Sequence, residues 1–231
     1  MIDISADLGE GAPGEDEIWP LITTANVACG GHVGDEASMA YAAQRARELD
    51  VRLGAHPSYP DRENFGRLSL SMPPDELRAS LISQLDALRK HAPLHHVKPH
   101  GMLYNDAHRD RALAEVIIDS LGDMAIVCSD TSQMAAAARA RGNRVIREAF
   151  ADRRYEPDGS LMSRKLAGSL LNVDEAAAQA EMLAKGRAVI ARDGSRITVE
   201  YDTICIHADM QNAVARLRAI RTRLSQCGSL T

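Results

Sequence analysis

The chain has 231 residues, 45% hydrophobic and 26% charged, which suits one large soluble domain or two small ones. A formal charge of −5 with no basic run gives no basis for nucleic-acid binding, and 3% aromatics gives none for a stacking platform. An acid at Asp3 and the lack of any span-length apolar run argue against a secretory leader or membrane helix, and Cys29, Cys128, Cys205 and Cys227 are scattered like the reduced thiols of a cytoplasmic protein.

"MIDISADLG" sets Ile2, Ile4 and Ala6 against Asp3, Ser5 and Asp7, the alternation of a strand. Glu15, Asp16 and Glu17 after it read as a solvated loop. "TTANVACG" is a second strand, followed by a glycine-rich turn in which Asp35 caps a helix over 35–50. "VRLGAHP" is a third. The helix over 74–91 opens Pro-Pro-Asp-Glu and carries Leu77, Leu81, Leu85 and Leu88 at helical spacing.

"HHVKPHG" is a fourth strand. On extended backbone His96, Lys98 and His100 share a face, which makes a poor core and a reasonable site. Helices over 108–121 and 131–142 flank "MAIVCSD", and "RVIREAFAD" is the sixth strand. A helix over 173–192, capped at Asn172 or Asp174 and with a stop signal at Gly186, leads to "ITVEYDTICIHAD". A helix over 209–226 closes the pattern. Seven strands alternating with helices predict an α/β fold with a parallel sheet, read as a single domain over 1–231. Polar and apolar residues alternate within several strands, which favours a closed (β/α) barrel over an open doubly wound sheet.

The titratable residues, with the amide Asn26 among them, collect where strands end: Asp7 and Glu10; His32 and Asp35 near Asn26; His56; Lys98 and His100; Glu148, Asp152 and Arg153; His207 and Asp209. Ligands of parallel α/β folds bind at those carboxyl ends. His91, His95 and His108 read as surface groups. Neither a phosphate loop, a dinucleotide fingerprint, a nucleophile elbow nor a zinc helix is present. A divalent metal held across strands has no local spacing signature, so Asp7, His56 and His100 stand as candidate ligands.

"DLGEG", "ANVACGGHVGD", "GAHPSYPDRENFGR", "VKPHGMLYN", "EAFADRRYEPDGSLMSR" and "CIHAD" occur in this order from Asp7 to Asp209. Together they resemble the LamB/YcsF family, the first of the three components of prokaryotic 5-oxoprolinase. The resemblance implies a barrel of the glycoside hydrolase/deacetylase type with about seven strands. It implies ATP-dependent opening of 5-oxo-L-proline to L-glutamate, with Mg²⁺ accompanying ATP and with 5-oxoprolinase subunits B and C as partners. On that basis Asp7, His56, Lys98 and His100 are the catalytic candidates, with Lys98 and Arg153 meeting the substrate carboxylate or phosphoryl oxygens. Glu10, Asn26, His32, Arg67, Asp152, Arg153 and His207 are the substrate-binding candidates. A metal-dependent amide hydrolase or deacetylase working without ATP, and a non-catalytic lactam-binding subunit, remain alternatives; oligomeric state, a homo-oligomer included, stays open. Three departures from the family pattern stand out: Ser5-Ala6 for Asn-Cys, Gly31 for Phe, and Ala208-Asp209-Met210-Gln211 for Gly-Asp-Asn-Pro.

Overall fold

A computed structural model describes residues 2–228. Seven parallel strands close into a barrel: β1 (Asp3–Leu8), β2 (Thr24–Ala28), β3 (Arg52–His56), β4 (His96–Val97), β5 (Ala125–Cys128), β6 (Val145–Phe150) and β9 (Thr203–His207). β9 pairs with both β6 and β1, so the ring has no free edge. β7 (Ala188–Ile190) and β8 (Arg196–Thr198) form an antiparallel hairpin outside the ring.

The helices wrap the outside: α1 (Glu15–Ile18), α2 (Glu36–Glu48), α3 (Pro74–Arg89), α4 (Gly101–Arg109), α5 (Arg111–Leu121), α6 (Gln133–Arg141), α7 (Val173–Gly186) and α8 (Ala213–Gln226). Among the described residues no helix is long and apolar enough to cross a membrane.

Strand alternation divides the barrel chemically. Ile4, Ala6 and Leu8 of β1, Ala25 and Val27 of β2, and Ile204 and Ile206 of β9 are buried in the main apolar cluster with the helices. Leu77, Leu81, Leu85 and Leu88 of α3 join it, as their spacing predicts. Each such leucine contributes about 1.5–3 kcal/mol relative to an exposed side chain. The opposite strand face turns Ser5, Asp7, Asn26, His96, Lys98, Glu148 and Cys205 into the barrel, where they hydrogen-bond or ion-pair with one another or with their neighbours. Only Ala125, Val127 and Ile146 make a small apolar cluster of their own.

The local signals mostly act as expected. Asp35 caps α2 in a reciprocal capping box with Ser38, and Asn172, not Asp174, caps α7 in the same way with Glu175. Three elements differ from the sequence expectation. The helix expected over 108–121 is two, because Asp110 leaves the helical conformation and its carboxylate accepts from Leu113 N–H to start α5. α7 ends at Gly186, and the following residues enter the outer hairpin. The long seventh strand splits into β8 and β9, only the second of which joins the barrel.

Glu15 is not a solvated loop residue. Its carboxylate accepts backbone N–H bonds from Gly9, Glu10, Gly11 and Ala12, folding the turn after β1 so that Glu10 returns over the barrel mouth. At Gly31, Gln84 and Ser58 occupy the space a side chain would need, and Gln84 bonds both Ser58 N–H and Ser58 C=O. That is the physical complement of the small residue at this position.

Candidate active site

The inward face ends in a polar layer centred on Lys98. Its ammonium donates to Asp7 Oδ1 at 2.8 Å and Oδ2 at 3.2 Å, contacts Cys205 Sγ at 3.0 Å, and pairs with Glu148 Oε2 at 3.2 Å. The Phe150 ring lies 5.4 Å away. Lys98, Asp7 and Glu148 are all buried. Burial alone would lower the lysine, but the Asp7 and Glu148 carboxylates outweigh it and hold it well above its ordinary value. Burial would likewise raise Asp7, yet His56 and Lys98 hold it well below the usual carboxylate range. Burial keeps the Cys205 thiol well above its ordinary value, hence protonated.

Asn26 and His96 support this layer from beneath. Asn26 Nδ2 donates to Asp7 Oδ1 at 2.9 Å, and His96 Nε2 meets Asn26 Oδ1 at 2.7 Å. Burial pushes His96 down to about 3, so the ring is neutral and Nε2–H donates to the amide oxygen. The ring occupies space that exists because residue 54 is glycine: a Cβ there would overlap it.

An imidazole cluster borders Asp7 on the other side. His56 Nδ1 is 2.7 Å from Lys98 C=O, and His100 Nε2 is 2.9 Å from Phe65 C=O. Their remaining nitrogens, His56 Nε2 and His100 Nδ1, face each other at 3.0 Å. Glu10 Oε1 lies 3.4 Å from His100 Nδ1 and 3.9 Å from His56 Nε2, and His32 Nε2 contacts it at 3.1 Å. The His32 and His100 rings are stacked, with centroids 3.7 Å apart. Burial, then neighbouring His56, pushes His100 down to about 3, while burial and then Asp7 push the Glu10 carboxyl well above its usual range.

The backbone that presents Phe65 C=O is unusual. Phe65 has φ 56°, a left-handed conformation rare for a bulky side chain, and Gly66 follows at φ 63°. Gly66 C=O then accepts from Met102 N–H at 2.9 Å, tying this loop to the first turn of α4.

Opposite the cluster, Asp152 holds His207. Its carboxylate accepts from His207 N–H at 2.8 Å and lies 3.1 Å from Nδ1 through both oxygens. Burial lowers the His207 ring below its ordinary value despite Asp152. The neutral ring therefore donates Nδ1–H to Asp152, and Nε2 keeps a lone pair with no protein partner among the described residues. Arg153 is also buried; Nη2 donates to Met162 C=O at 2.6 Å, and no carboxylate among the described residues pairs with it. Burial, then Arg164, brings it down to about 10, so it stays charged at neutral pH. Arg67 and Arg164 share Asp209; Arg164, His207 and Arg67 hold its carboxyl at about 2 against the effect of burial.

These groups line one cavity of about 700 Å³ at the carboxyl ends of the strands. Asp7, Glu10, His56, Arg67, Lys98, His100, Arg153 and His207 are all on its wall. Asn26, His32 and Asp152 stand behind that wall, each bonded to a residue on it. His96 is not on it either: its ring lies deeper in the barrel against Asn26, in the space left by Gly54, while Lys98 and His100, the N-cap of α4, both reach the cavity. His108, expected at the surface, is half-buried at the cavity's edge. Of the metal-ligand candidates Asp7, His56 and His100, the two histidines group instead with Glu10, their donor atoms lying within 4.8 Å of one another; Asp7 is not in that set, being engaged by Lys98 and Asn26.

Cys205 and Arg164 belong to the site without having been singled out as site residues from the sequence, and Glu148, named there among the strand-end residues, was given no role. Glu148 stands two residues before the end of β6, in phase with Phe150, and that phase was the available signal. Cys205 sits two before His207 on β9 in the same way.

Comparison with solved structures finds a lactam utilization protein from Thermus thermophilus that is 37% identical, over 98% of this chain and 97% of that one, with a TM-score of 0.90. A β-mannanase from Streptomyces thermolilacinus with mannohexaose matches at 12% identity over 79% of this chain and 76% of that one, with a TM-score of 0.40, too weak a likeness to bear on the site. The family model for LamB/YcsF matches residues 2–230, nearly the whole chain and every segment that builds the cavity. The chain belongs to the LamB/YcsF family.

Proposed function

We infer that this chain is the lactam-binding subunit of an ATP-dependent 5-oxoprolinase, which opens 5-oxo-L-proline to L-glutamate together with partner subunits B and C. The observation that carries the reading is the likeness, over 98% of the chain, to a lactam utilization protein. The cavity supports it. At about 700 Å³ it exceeds what a five-membered lactam requires and leaves room for a nucleotide beside it.

The chemistry follows from the substrate. A γ-lactam is an unstrained amide and reacts slowly with water. Attack of its oxygen on the γ-phosphorus of ATP, with ADP leaving, makes the ring carbon electrophilic. Water then adds to that carbon, the C–N bond breaks with a proton passing to nitrogen, and a second water hydrolyses the acyl phosphate to glutamate and phosphate. In this scheme His207, oriented by Asp152, accepts the proton of the attacking water at Nε2. Arg153, with no carboxylate partner among the described residues, takes the substrate carboxylate through a charge-assisted bond. Lys98 does not take that role, because Asp7, Glu148 and Cys205 already surround its ammonium. It serves instead to keep Asp7 ionised beside His56.

Arg153→Gln tests the substrate assignment. Loss of a charged hydrogen bond of about 1.5–3 kcal/mol should weaken 5-oxo-L-proline binding by roughly 10- to 150-fold in calorimetry with the purified chain. Equal affinity in the variant would remove Arg153 from the substrate site, and no binding by the folded wild type would count against the lactam reading itself. A second reading, an amide hydrolase working without ATP, is favoured by the convergence of Glu10, His56 and His100; turnover without ATP would select it.

A further inference from the structure

We propose that Glu10, His56 and His100 form a binding site for one first-row divalent transition-metal ion. The positions of the imidazole protons carry the inference. A backbone carbonyl can only accept a hydrogen bond. His56 Nδ1, 2.7 Å from Lys98 C=O, therefore carries a proton, and so does His100 Nε2, 2.9 Å from Phe65 C=O. When each ring carries only that one proton, a lone pair is left on both His56 Nε2 and His100 Nδ1, and these atoms are only 3.0 Å apart. Two lone pairs at that distance repel unless a cation lies between them.

The remaining neighbours strengthen the demand for positive charge. Glu10 Oε1 closes the triangle at 3.4 and 3.9 Å, and Asp7 Oδ2 borders it, 3.4 Å from His56 Nε2. The ammonium of Lys98 is turned to Asp7, Glu148 and Cys205. A proton on one ring would bridge the two nitrogens but leave Glu10 without a bond to it. A metal ion satisfies all three donors at once.

Dimensions and support agree with this. Two nitrogens each about 2.1 Å from one ion and at a right angle lie about 3.0 Å apart. Metal-binding histidines characteristically donate their other N–H to a backbone carbonyl or carboxylate, and both rings do so here. Glu10 has its own outer partner in His32 Nε2, at 3.1 Å. The strained Phe65 backbone gains a purpose, since it aims the carbonyl that orients His100. Two imidazoles and one carboxylate suit Mn²⁺, Fe²⁺, Co²⁺ or Zn²⁺, whereas Mg²⁺ and Ca²⁺ prefer all-oxygen sites. The donors face the cavity, so substrate or water has access to the ion's remaining positions.

Titration of Co²⁺ into chelator-treated full-length protein, followed by visible absorption, tests the site without lactam, ATP or partners. The expected result is saturation at one Co²⁺ per chain, displaced by Zn²⁺ and not by equimolar Mg²⁺. Glu10→Gln and His56→Asn should each weaken binding at least tenfold, a loss that even outer partners of a metal site produce. Circular dichroism establishes that the variants fold. Absence of a saturable band on the wild type would overturn the proposal even if neither variant folds. Unchanged affinity in both folded variants would also overturn it, assigning the binding to surface groups such as His91 and His95. The readout is metal occupancy, so it is independent of whether 5-oxo-L-proline is the substrate.

Discussion

Replacing Lys98 by methionine is expected to cost about 3–5 kcal/mol of folding stability, the scale for breaking a buried ion pair by removing one partner. The variant leaves the buried Asp7 and Glu148 carboxylates without the ammonium they share, with the Asn26 amide and neighbouring His56 still beside Asp7. The pH dependence has a definite sign. In the wild type the folded Asp7 value is depressed, so its contribution is present above the unfolded value of about 3.9 and lost as pH falls through the folded one. Without Lys98, His56 is left alone against burial and the second carboxylate, so the folded Asp7 value rises from its depressed position and the stability Asp7 contributes shrinks. The deficit between variant and wild type should therefore be smaller at about pH 3, where that contribution is fading in the wild type, than at about pH 7, measured by urea denaturation. A deficit below about 1 kcal/mol at both pH values would mean that the ammonium does not hold this layer together, since that is the scale of an exposed pair.

His207→Asn is expected to reduce kcat in the assembled enzyme by about 10²–10⁴-fold, the range attributed to a positioned general base. Asparagine can still donate to Asp152 from the place of Nδ1, so the loop stays anchored while Nε2 is lost. KM for the lactam and the thermal midpoint should stay close to wild type. The His207 value is depressed by burial, so the acid limb of wild-type kcat/KM should fall below pH 6.5, the ordinary histidine value. A kcat within twofold of wild type would remove His207 from proton transfer.

The barrel was legible because its inward face is polar. Asp3, Ser5 and Asp7 against Ile4, Ala6 and Leu8 is a strand pattern that a sheet covered on both faces by helices would not carry. Strand ends led from single positions to Asp7, His56, Lys98, His100 and His207, which stand on the cavity wall, while much of the rest of that wall comes from loops and helices. Other features depend on neighbours distant in sequence. Glu15 reads as one of three solvated acids until the turn folds and gives it four backbone donors. His96 shares strand phase with Lys98, yet it lies a layer lower, in space left by Gly54 on the adjacent strand. The helix break at Asp110 was written in "HRDR", where an N-cap residue stands inside an otherwise helical run. Lys98 looked like an anion-binding group because sequence shows its charge and not the two carboxylates and thiol around it.

Glutamate release from 5-oxo-L-proline, measured with and without ATP and Mg²⁺, for the chain alone and with subunits B and C, tests the proposed function most directly. Release is expected only in the reconstituted mixture with ATP, with one ADP formed per glutamate. Release by the chain alone without ATP, or none in a fully assembled and folded complex, would contradict it.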